Sequence, residues 1–341
     1  MSQIGRPNSF RQSNDSGAQN RSETACFIVN PRAGAGKAGR KINILRKEVD
    51  RAFAQAEVCT TEGPGHASIL AQEAIENKFD IVAAVGGDGT CHEVINGMFD
   101  GKTARSNNAI FAAIPFGTGS DLIKTLEMPK SLPEALWIAG TGITLPSDVG
   151  WVSLTHPSDD TPKEEIFVNV AGFGANGDVV RRANAMSKTL GGRLTFLQAS
   201  LQSAVAYQPS QIRIQWDDGE WQGTMMSCFI ANGAYCGGGM WVGKGGSMQD
   251  GKFDVTILPP NRLSKTLVDA RRLYDGSIQK MAGAIRFQTT RLVATPLPDE
   301  PVFVDLDGEM PGRIPATFEV LHRAIQIRGG WRSNPLLSDQ G

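Results

Sequence analysis

The sequence contains no G-x-x-x-x-G-K-[ST] stretch, which excludes a Walker A phosphate loop. Its four histidines are scattered rather than clustered, which argues against a zinc site. Five cysteines (Cys26, Cys59, Cys91, Cys228 and Cys236) form no C-x-x-C pair and are odd in number. That usage fits reduced thiols in a cytoplasmic protein rather than a secreted disulfide framework. No apolar run approaches the ~18 residues of a membrane-spanning helix, so any membrane contact is expected to be peripheral. With a net charge of −1, no bulk basic character points to nucleic acid. Residues 1–23 are polar and lack the apolar core of a secretory signal. Arg6, Arg11 and Arg21 faintly resemble a transit peptide, but the segment reads as a disordered tail.

What is present is globular in composition, with 40% hydrophobic and 20% charged residues, and 341 residues suggest two domains. From Thr24 to about Leu145 strand and helix patterns alternate. Strands are expected at Cys26–Val29, Ala56–Thr61, Ile81–Val85 and Ala109–Ile114. Ile42, Leu45, Val49 and Phe53 step by three, four and four, an amphipathic helix, and Ala67–Asn77 is a second. Such a βα order predicts a parallel sheet whose ligands bind at the carboxyl ends of its strands. From about Asp148 the texture changes to short strands: Ile166–Ala171, Gln211–Trp216, Thr224–Ala231, Phe253–Leu258, Ala284–Ala294 and Val302–Asp305. These predict a β-sandwich or barrel, interrupted by helices near Lys188–Tyr207 and Ser264–Tyr274, with Thr155–Glu165 as an exposed loop. The expected organisation is an α/β domain over 24–147, a β-rich domain over 148–300, and a C-terminal segment over 301–330.

Val85-Gly86-Gly87-Asp88-Gly89-Thr90 is the most telling stretch. A buried strand empties into a turn that is nearly all glycine, and a helix pattern follows from His92. Glycine lets backbone N–H groups approach a ligand closely, and a helix N-terminus favours phosphate. Asp88 would repel phosphate unless a cation lies between them. The turn therefore suggests a Mg²⁺-nucleotide, or a hydroxyl about to be phosphorylated, set against an ordinary change of chain direction. Asn30-Pro31-Arg32-Ala33-Gly34-Ala35-Gly36-Lys37 reads either as a tight anion-binding turn with Arg32 and Lys37 as phosphate partners, or as a plain strand–helix connection. Pro115–Asp121 offers a third glycine-rich turn with a hydroxyl in Thr118, in which Ser120 or Asp121 can also N-cap the next helix. Asp305–Glu309 and Gln249–Lys252 read as acidic hairpin turns, and the oxygen-rich tip of the second suits a hard cation. Gly237–Gly239 with Met240 and Trp241 is a flexible apolar stretch.

In this order and spacing the motifs resemble the diacylglycerol kinase catalytic-domain family, which includes bacterial lipid kinases, sphingosine kinases and ceramide kinases. The resemblance runs from Ala25 to Arg328. It rests on Asn30-Pro31 with its glycine turn, Thr61 to Ala67, Gly86–Thr90 with Glu93-Val94, Pro115–Asp121, Asn169 with Gly172 and Gly174, Asp250-Gly251 and Asp307-Gly308-Glu309. It implies an α/β domain of the NAD kinase and diacylglycerol kinase type, followed by a β-rich sandwich-like domain. It also implies transfer of the ATP γ-phosphoryl group to a lipid hydroxyl, most simply diacylglycerol giving phosphatidic acid in phospholipid biosynthesis. Carried over by position, Asn30, Pro31, Arg32, Ala33, Gly34, Lys37, Thr61, Gly86, Gly87, Asp88, Gly89, Thr90, Cys91, His92, Gly117, Thr118 and Gly119 contact ATP. Asp88 acts through the Mg²⁺–water network at the phosphates. Asp307 and Glu309 return to the nucleotide loop and supply the base, Glu309 first. Ser247, Asp250 and Lys252 match a structural Mg²⁺ loop. The implied protein is cytoplasmic, meets its lipid at a membrane surface without spanning it, binds no nucleic acid, and admits a homodimer.

The third loop usually reads G-T-G-N-D in that family, and Ser120 stands here for the asparagine; serine is shorter and lacks the amide donor. Cys91-His92 also departs from many bacterial members, and His92 is not read as a base. Sphingoid base, ceramide and monoacylglycerol remain alternative acceptors, with Asp178 as a candidate carboxylate for a cationic sphingoid headgroup. An NAD kinase or phosphofructokinase relative with a polar acceptor, and a non-catalytic lipid-binding or regulatory module, are the competing readings.

Overall fold

In the computed structural model of the chain, residues 23–116, 120–185, 207–260, 271–297 and 301–331 are described. They form two units. The first takes the described residues up to Ser147 and those from Ala324 onward, and the second runs from Asp148 to Arg323.

The first unit alternates strand and helix: β1 (Ala25–Val29), α1 (Ala33–Arg40), α2 (Ile42–Ala52), β2 (Ala56–Thr60), α3 (His66–Glu76), β3 (Ile81–Gly86) and α4 (Asp88–Gly97). A small hairpin of β4 (Phe99–Asp100) and β5 (Thr103–Ala104) precedes β6 (Ile110–Pro115), α5 (Asp121–Thr125) and α6 (Leu132–Thr141). β2, β1, β3 and β6 pair in parallel in that order, with Val29 beside Val85 and Val85 beside Ile114. These strands read as unbroken apolar runs because a parallel sheet is covered on both faces. All five residues of β1 and the first five of β3 are fully shielded from solvent. Phe27 meets Phe53 edge-on, 5.1 Å between ring centroids; truncating such a core ring costs about 3–5 kcal/mol. Glycine lets α3 and α4 pack closely, since a Cβ at Gly97 would lie 2.8 Å from the Ser68 carbonyl carbon.

The second unit is antiparallel. β7 (Ile143–Thr155) begins in the first unit and forms a hairpin with β8 (Pro162–Phe167); β9 (Val170–Gly174) and α7 (Ala175–Ala185) follow. Then come β10 (Ser210–Trp216), β11 (Gly219–Met225), β12 (Ser227–Ala231), a small hairpin of β13 (Tyr235–Cys236) and β14 (Met240–Trp241), β15 (Phe253–Leu258), β16 (Ile285–Thr289), β17 (Arg291–Pro296), β18 (Phe303–Leu306) and β19 (Glu309–Gly329). One run of neighbours is β16-β15-β12-β9-β18-β19, and β19 pairs also with β17, which leads to β10 and β11. The core between them holds Phe167, Phe173, Phe253 and Phe318 with Ile212, Ile230, Val255 and Leu292. Phe167 stacks on Phe253 at 5.5 Å and meets Phe318 edge-on.

Several expectations change. Thr155–Glu165 is not one exposed loop: β7 and β8 pair from Gly150–Phe167 to Thr155–Pro162, leaving a short connection. Ile166–Ala171 is not one strand but breaks at Val168-Asn169, whose N–H groups are turned to a side chain described below. Gln249–Lys252 is a turn in the connection to β15 rather than a hairpin tip between two strands. The separate C-terminal segment dissolves. β19 is one unbroken strand whose early part pairs with β18 and β17, while Gln326–Arg328 pairs in parallel with Ile110–Ala112 at the edge of the first unit's sheet. The helix expected over Lys188–Tyr207 lies outside the described residues save Tyr207; of that over Ser264–Tyr274, residues 271–274 are described and helical. The tail lies outside them up to residue 22. None of the five cysteines is in a disulfide. No helix among the described residues is long and apolar enough to cross a membrane.

Candidate active site

Backbone hydrogen bonds carry the sheet of the first unit past its strand ends and set the loops at its carboxyl edge side by side. The Asn30 N–H donates to Val85 O (3.2 Å), the Thr61 N–H to Val29 O (2.9 Å), and the Phe116 N–H to Gly86 O (3.5 Å). Asn30 closes its own loop by accepting the Arg32 N–H at Oδ1 (2.9 Å). Gly34 and Gly36 have φ of +61° and +77°, and the Gly39 N–H returns to Pro31 O (3.0 Å). The glycine turn is therefore real, but it is built into the start of α1 rather than standing free before it. Arg32 is exposed, Pro31, Ala33 and Gly34 are half-buried, and Lys37 lies on α1.

The Gly86–Thr90 turn runs directly into α4, capped by extended Gly87, whose carbonyl accepts the Thr90 and Cys91 N–H groups. Thr90, Cys91 and His92 are buried, as is Thr61. Glu93 reaches the preceding helix: its carboxylate accepts the Ala67 N–H (3.1 Å), and its carbonyl accepts the Ser68 hydroxyl (2.6 Å). That links the loop carrying Thr61 to the helix carrying Asp88.

Asp88 sits between two helix starts. Its Oδ1 accepts the Ser120 hydroxyl and the Leu122 N–H (3.1 Å), and its Oδ2 accepts the Asp121 N–H (3.0 Å). It keeps some contact with solvent, yet its carboxyl is enclosed closely enough that burial pushes it up to about 6. The Asp121 carboxylate adds to that rise, and the three donors oppose it. Ser120 was expected to lack the donor an asparagine would bring; its hydroxyl supplies one. It also N-caps α5, accepting the Ile123 N–H at 3.4 Å. Gly117, Thr118 and Gly119 lie outside the described residues.

In the second unit Asp307 and Gly308 form the two-residue turn between β18 and β19, with φ of +52° and +88°. Both values are positive, as a type I′ hairpin turn requires, and Asp-Gly is a preferred pair for it. The Asp307 carboxylate turns inward and is 9% exposed. Its Oδ2 accepts the Val168 N–H (2.9 Å), and its Oδ1 accepts those of Asn169 (2.9 Å) and Val170 (3.0 Å). Three consecutive donors on one carboxylate explain why the strand breaks between β8 and β9. Asn169 in turn donates from Nδ2 to Tyr235 O (2.5 Å) and accepts at its carbonyl from Asn232 and Gly233. Glu309, two residues on, is exposed at the first position of β19.

The loop at 247–252 hangs on a buried carboxylate that the sequence reading passed over. Asp148 accepts the Gly251 N–H at Oδ2 (2.7 Å) and the Arg323 N–H at Oδ1 (2.7 Å), with His322 Nδ1 2.9 Å from Oδ1. Asp250 accepts the Lys252 N–H (3.1 Å), and Ser247 accepts the Gln249 N–H (3.2 Å). Burial first, then the Asp148 and Asp254 carboxylates, push Asp250 up from the ordinary range. No cluster of three or more His, Cys, Asp or Glu side chains arranged for a metal occurs among the described residues. A cation here would rest on one carboxylate with hydroxyl and backbone oxygens. That donor set fits Mg²⁺, which also offsets the crowding of acids.

Asp178 is not open to a cationic ligand. Arg181 Nη2 is 2.6 Å from its Oδ1 and Arg182 Nε 2.5 Å from its Oδ2, one turn along α7. Arg181 also lies over the Phe303 ring, 5.3 Å from its centroid.

Residues 24–152 match the family model for the diacylglycerol kinase catalytic domain. Residues 169–329 match that of the YegS C-terminal NAD kinase beta sandwich-like domain. Among curated proteins, the chain is 26% identical to a diacylglycerol kinase of Bacillus subtilis over 306 residues, 89% of this chain and 95% of that one. It is 23% identical to a diacylglycerol kinase of Staphylococcus aureus strain MRSA252, over 89% and 91% of the two chains. Among solved structures, a putative diacylglycerol kinase from Bacillus anthracis has the same fold, with a TM-score of 0.72, 22% identity, and coverage of 95% of this chain and 99% of that one.

Proposed function

We propose that the chain, whose residues 24–152 and 169–329 match the diacylglycerol kinase catalytic domain and the YegS C-terminal domain, is an ATP-dependent lipid kinase that phosphorylates diacylglycerol to phosphatidic acid through the residues described above. The first unit holds the nucleotide at the carboxyl ends of β1, β2, β3 and β6. The backbone of Asn30–Gly34 and Gly86–Thr90, with Thr61, lines that edge, and Arg32 brings positive charge to the phosphates. Asp88, fixed between two helix starts, orients this turn toward the phosphates. Mg²⁺ bound with ATP supplies charge neutralisation there. A second Mg²⁺ would be held by Asp250 with Ser247 and Lys252, steadying the 247–252 loop.

The observation that carries this reading is the division of labour between Asp307 and Glu309. Both oxygens of Asp307 are occupied by backbone donors, so it anchors the hairpin. Glu309 is the exposed carboxylate at the end of that anchored turn, and in this reading it takes the hydroxyl proton as the new P–O bond forms. An alcohol is a weak nucleophile at neutral pH, and a positioned base contributes typically ~10²–10⁴-fold. The pairing of Asp178 with Arg181 and Arg182 favours an uncharged diacylglycerol headgroup over a sphingoid amine. The enzyme meets its lipid at a membrane surface through peripheral contact, in the cytoplasm.

The test is a phosphorylation screen with γ-labelled ATP, Mg²⁺ and detergent-dispersed diacylglycerol, monoacylglycerol, sphingosine and ceramide. Wild-type protein labels diacylglycerol, and Glu309→Gln loses at least a hundredfold in kcat while keeping its Tm. Labelling of sphingosine in preference to diacylglycerol would overturn the acceptor, and an active Glu309→Gln would overturn the base.

A further inference from the structure

One hydroxyl ties the Gly86–Thr90 turn to the start of α5. Ser120 Oγ accepts the Ile123 N–H and donates its own proton to Asp88 Oδ1, while the N–H groups of Asp121 and Leu122 complete the set around that carboxylate. An ionised carboxylate only accepts, so the direction of the Ser120 bond is fixed while Asp88 is charged. The G-T-G-N-D pattern of the family carries asparagine here, which can divide accepting and donating between Oδ1 and Nδ2. Serine does both with one atom, so its cap and its bond to Asp88 stand or fall together.

We propose that Ser120 is the positioning residue for Asp88. It holds the carboxylate in a single orientation at the head of α4, and this rests on reading Gly86–Thr90 as the nucleotide turn. The two backbone donors are 3.0 and 3.1 Å away, one on each oxygen, and the hydroxyl adds a second donor at Oδ1. The hydroxyl supplies the one side-chain donor among the three that meet Asp88. Among charged groups, Asp121 bears on Asp88 directly and is itself paired with Lys124 at 2.7 Å. The packed neighbour α3 carries His66, Glu73 and Glu76, and α4 itself His92 and Glu93.

Ser120→Gly separates the two jobs, because glycine caps a helix nearly as well as serine but donates nothing to Asp88. Ser120→Asn restores a donor. Steady-state kinetics with ATP and diacylglycerol are expected to show Ser120→Gly down at least tenfold in kcat/KM for ATP, with a Tm within about 3 °C of wild type and Ser120→Asn within threefold in rate. A second readout needs no activity. In the ligand-free, metal-free protein with ¹³C-carboxyl-labelled aspartate, the Asp88 resonance, assigned with Asp88→Asn, titrates at least half a pH unit higher in Ser120→Gly and returns in Ser120→Asn. Unchanged kcat/KM and an unmoved resonance in Ser120→Gly, or an asparagine variant no better than glycine, overturns the proposal. If wild type phosphorylates no lipid at all, the proposed function fails, and the resonance still decides the role of Ser120.

Discussion

Replacing Asp307 by Asn isolates the anchoring carboxylate from everything else at the turn. Asparagine adopts the left-handed conformation at least as readily as aspartate, so the φ of +52° is not the issue. Shape is conserved, and what changes is one oxygen and one charge. In the native turn three backbone N–H groups converge on the two oxygens at 2.9, 2.9 and 3.0 Å. Whichever way the amide is placed, its NH₂ faces at least one of those donors. Leaving one buried N–H unsatisfied costs about 1–3 kcal/mol, and the remaining bonds fall from charge-assisted to neutral strength. Together the loss is on the order of 3 kcal/mol. For a unit of this size each kcal/mol moves the transition by roughly 2–4 °C, so Tm falls by about 6–12 °C. Calorimetry of the nucleotide-free protein at pH 7.5 reads this directly. An Asp307→Asn transition within 2 °C of wild type would refute the claim that this side chain, rather than the turn backbone, fixes the break between β8 and β9.

Asp88 is pushed by burial to about 6 from an ordinary value of 3.8, and the role proposed for it at the nucleotide requires its ionised form. A pH profile of kcat/KM for ATP is therefore expected to fall as pH drops through about 6, and a midpoint near 4 would contradict it. The same raised value gives a stability contribution that is fully present below the unfolded value and is lost as pH rises through 6. Gly86→Ala sets a Cβ 2.8 Å from Thr90 Cβ in the turn proposed to hold the phosphates. Overpacking of that kind costs roughly 1–3 kcal/mol, and binding of a fluorescent ATP analogue is expected to weaken at least tenfold; unchanged binding would place the phosphates elsewhere. Arg181→Gln with Arg182→Gln releases the Asp178 carboxylate, so the rate with sphingosine relative to diacylglycerol rises, and an unchanged ratio would remove α7 from acceptor choice.

Much of the first unit was legible because three of its strands are apolar on both faces and are followed by glycine-containing loops. The runs ACFIV, IVAAVG and IFAAIP admit little but a buried parallel sheet, and the loops at their ends follow from topology. The strand β19 was not legible. It carries Pro311, Pro315 and Gly312 with charged Glu319 and Arg323, which are marks of a connection rather than of a 21-residue strand. Asp307 showed as an acid in a turn, but not as an acceptor for residues 137 to 139 positions earlier, because no local pattern records so distant a bond. Asp148 escaped notice for the same reason: its partners Gly251 and Arg323 lie 103 and 175 residues away. Asp178 showed as a carboxylate in a promising place, and only the geometry of α7 revealed that its own helix neutralises it.

Because Gln326–Arg328 closes the edge of the first unit's sheet beside β6, that sheet is assembled from both ends of the chain. On the ribosome, the N-terminal unit emerges first but waits for its last strand until the whole second unit has been made. The chain thus has an enforced order of completion. The unit expected to bind nucleotide gains its final edge only after the residues proposed to serve the acceptor, Asp307 and Glu309, have been synthesised on the same strand and its turn. A nascent chain stopped short of residue 326 carries every loop proposed to hold the nucleotide, yet on a sheet that lacks the strand beside β6.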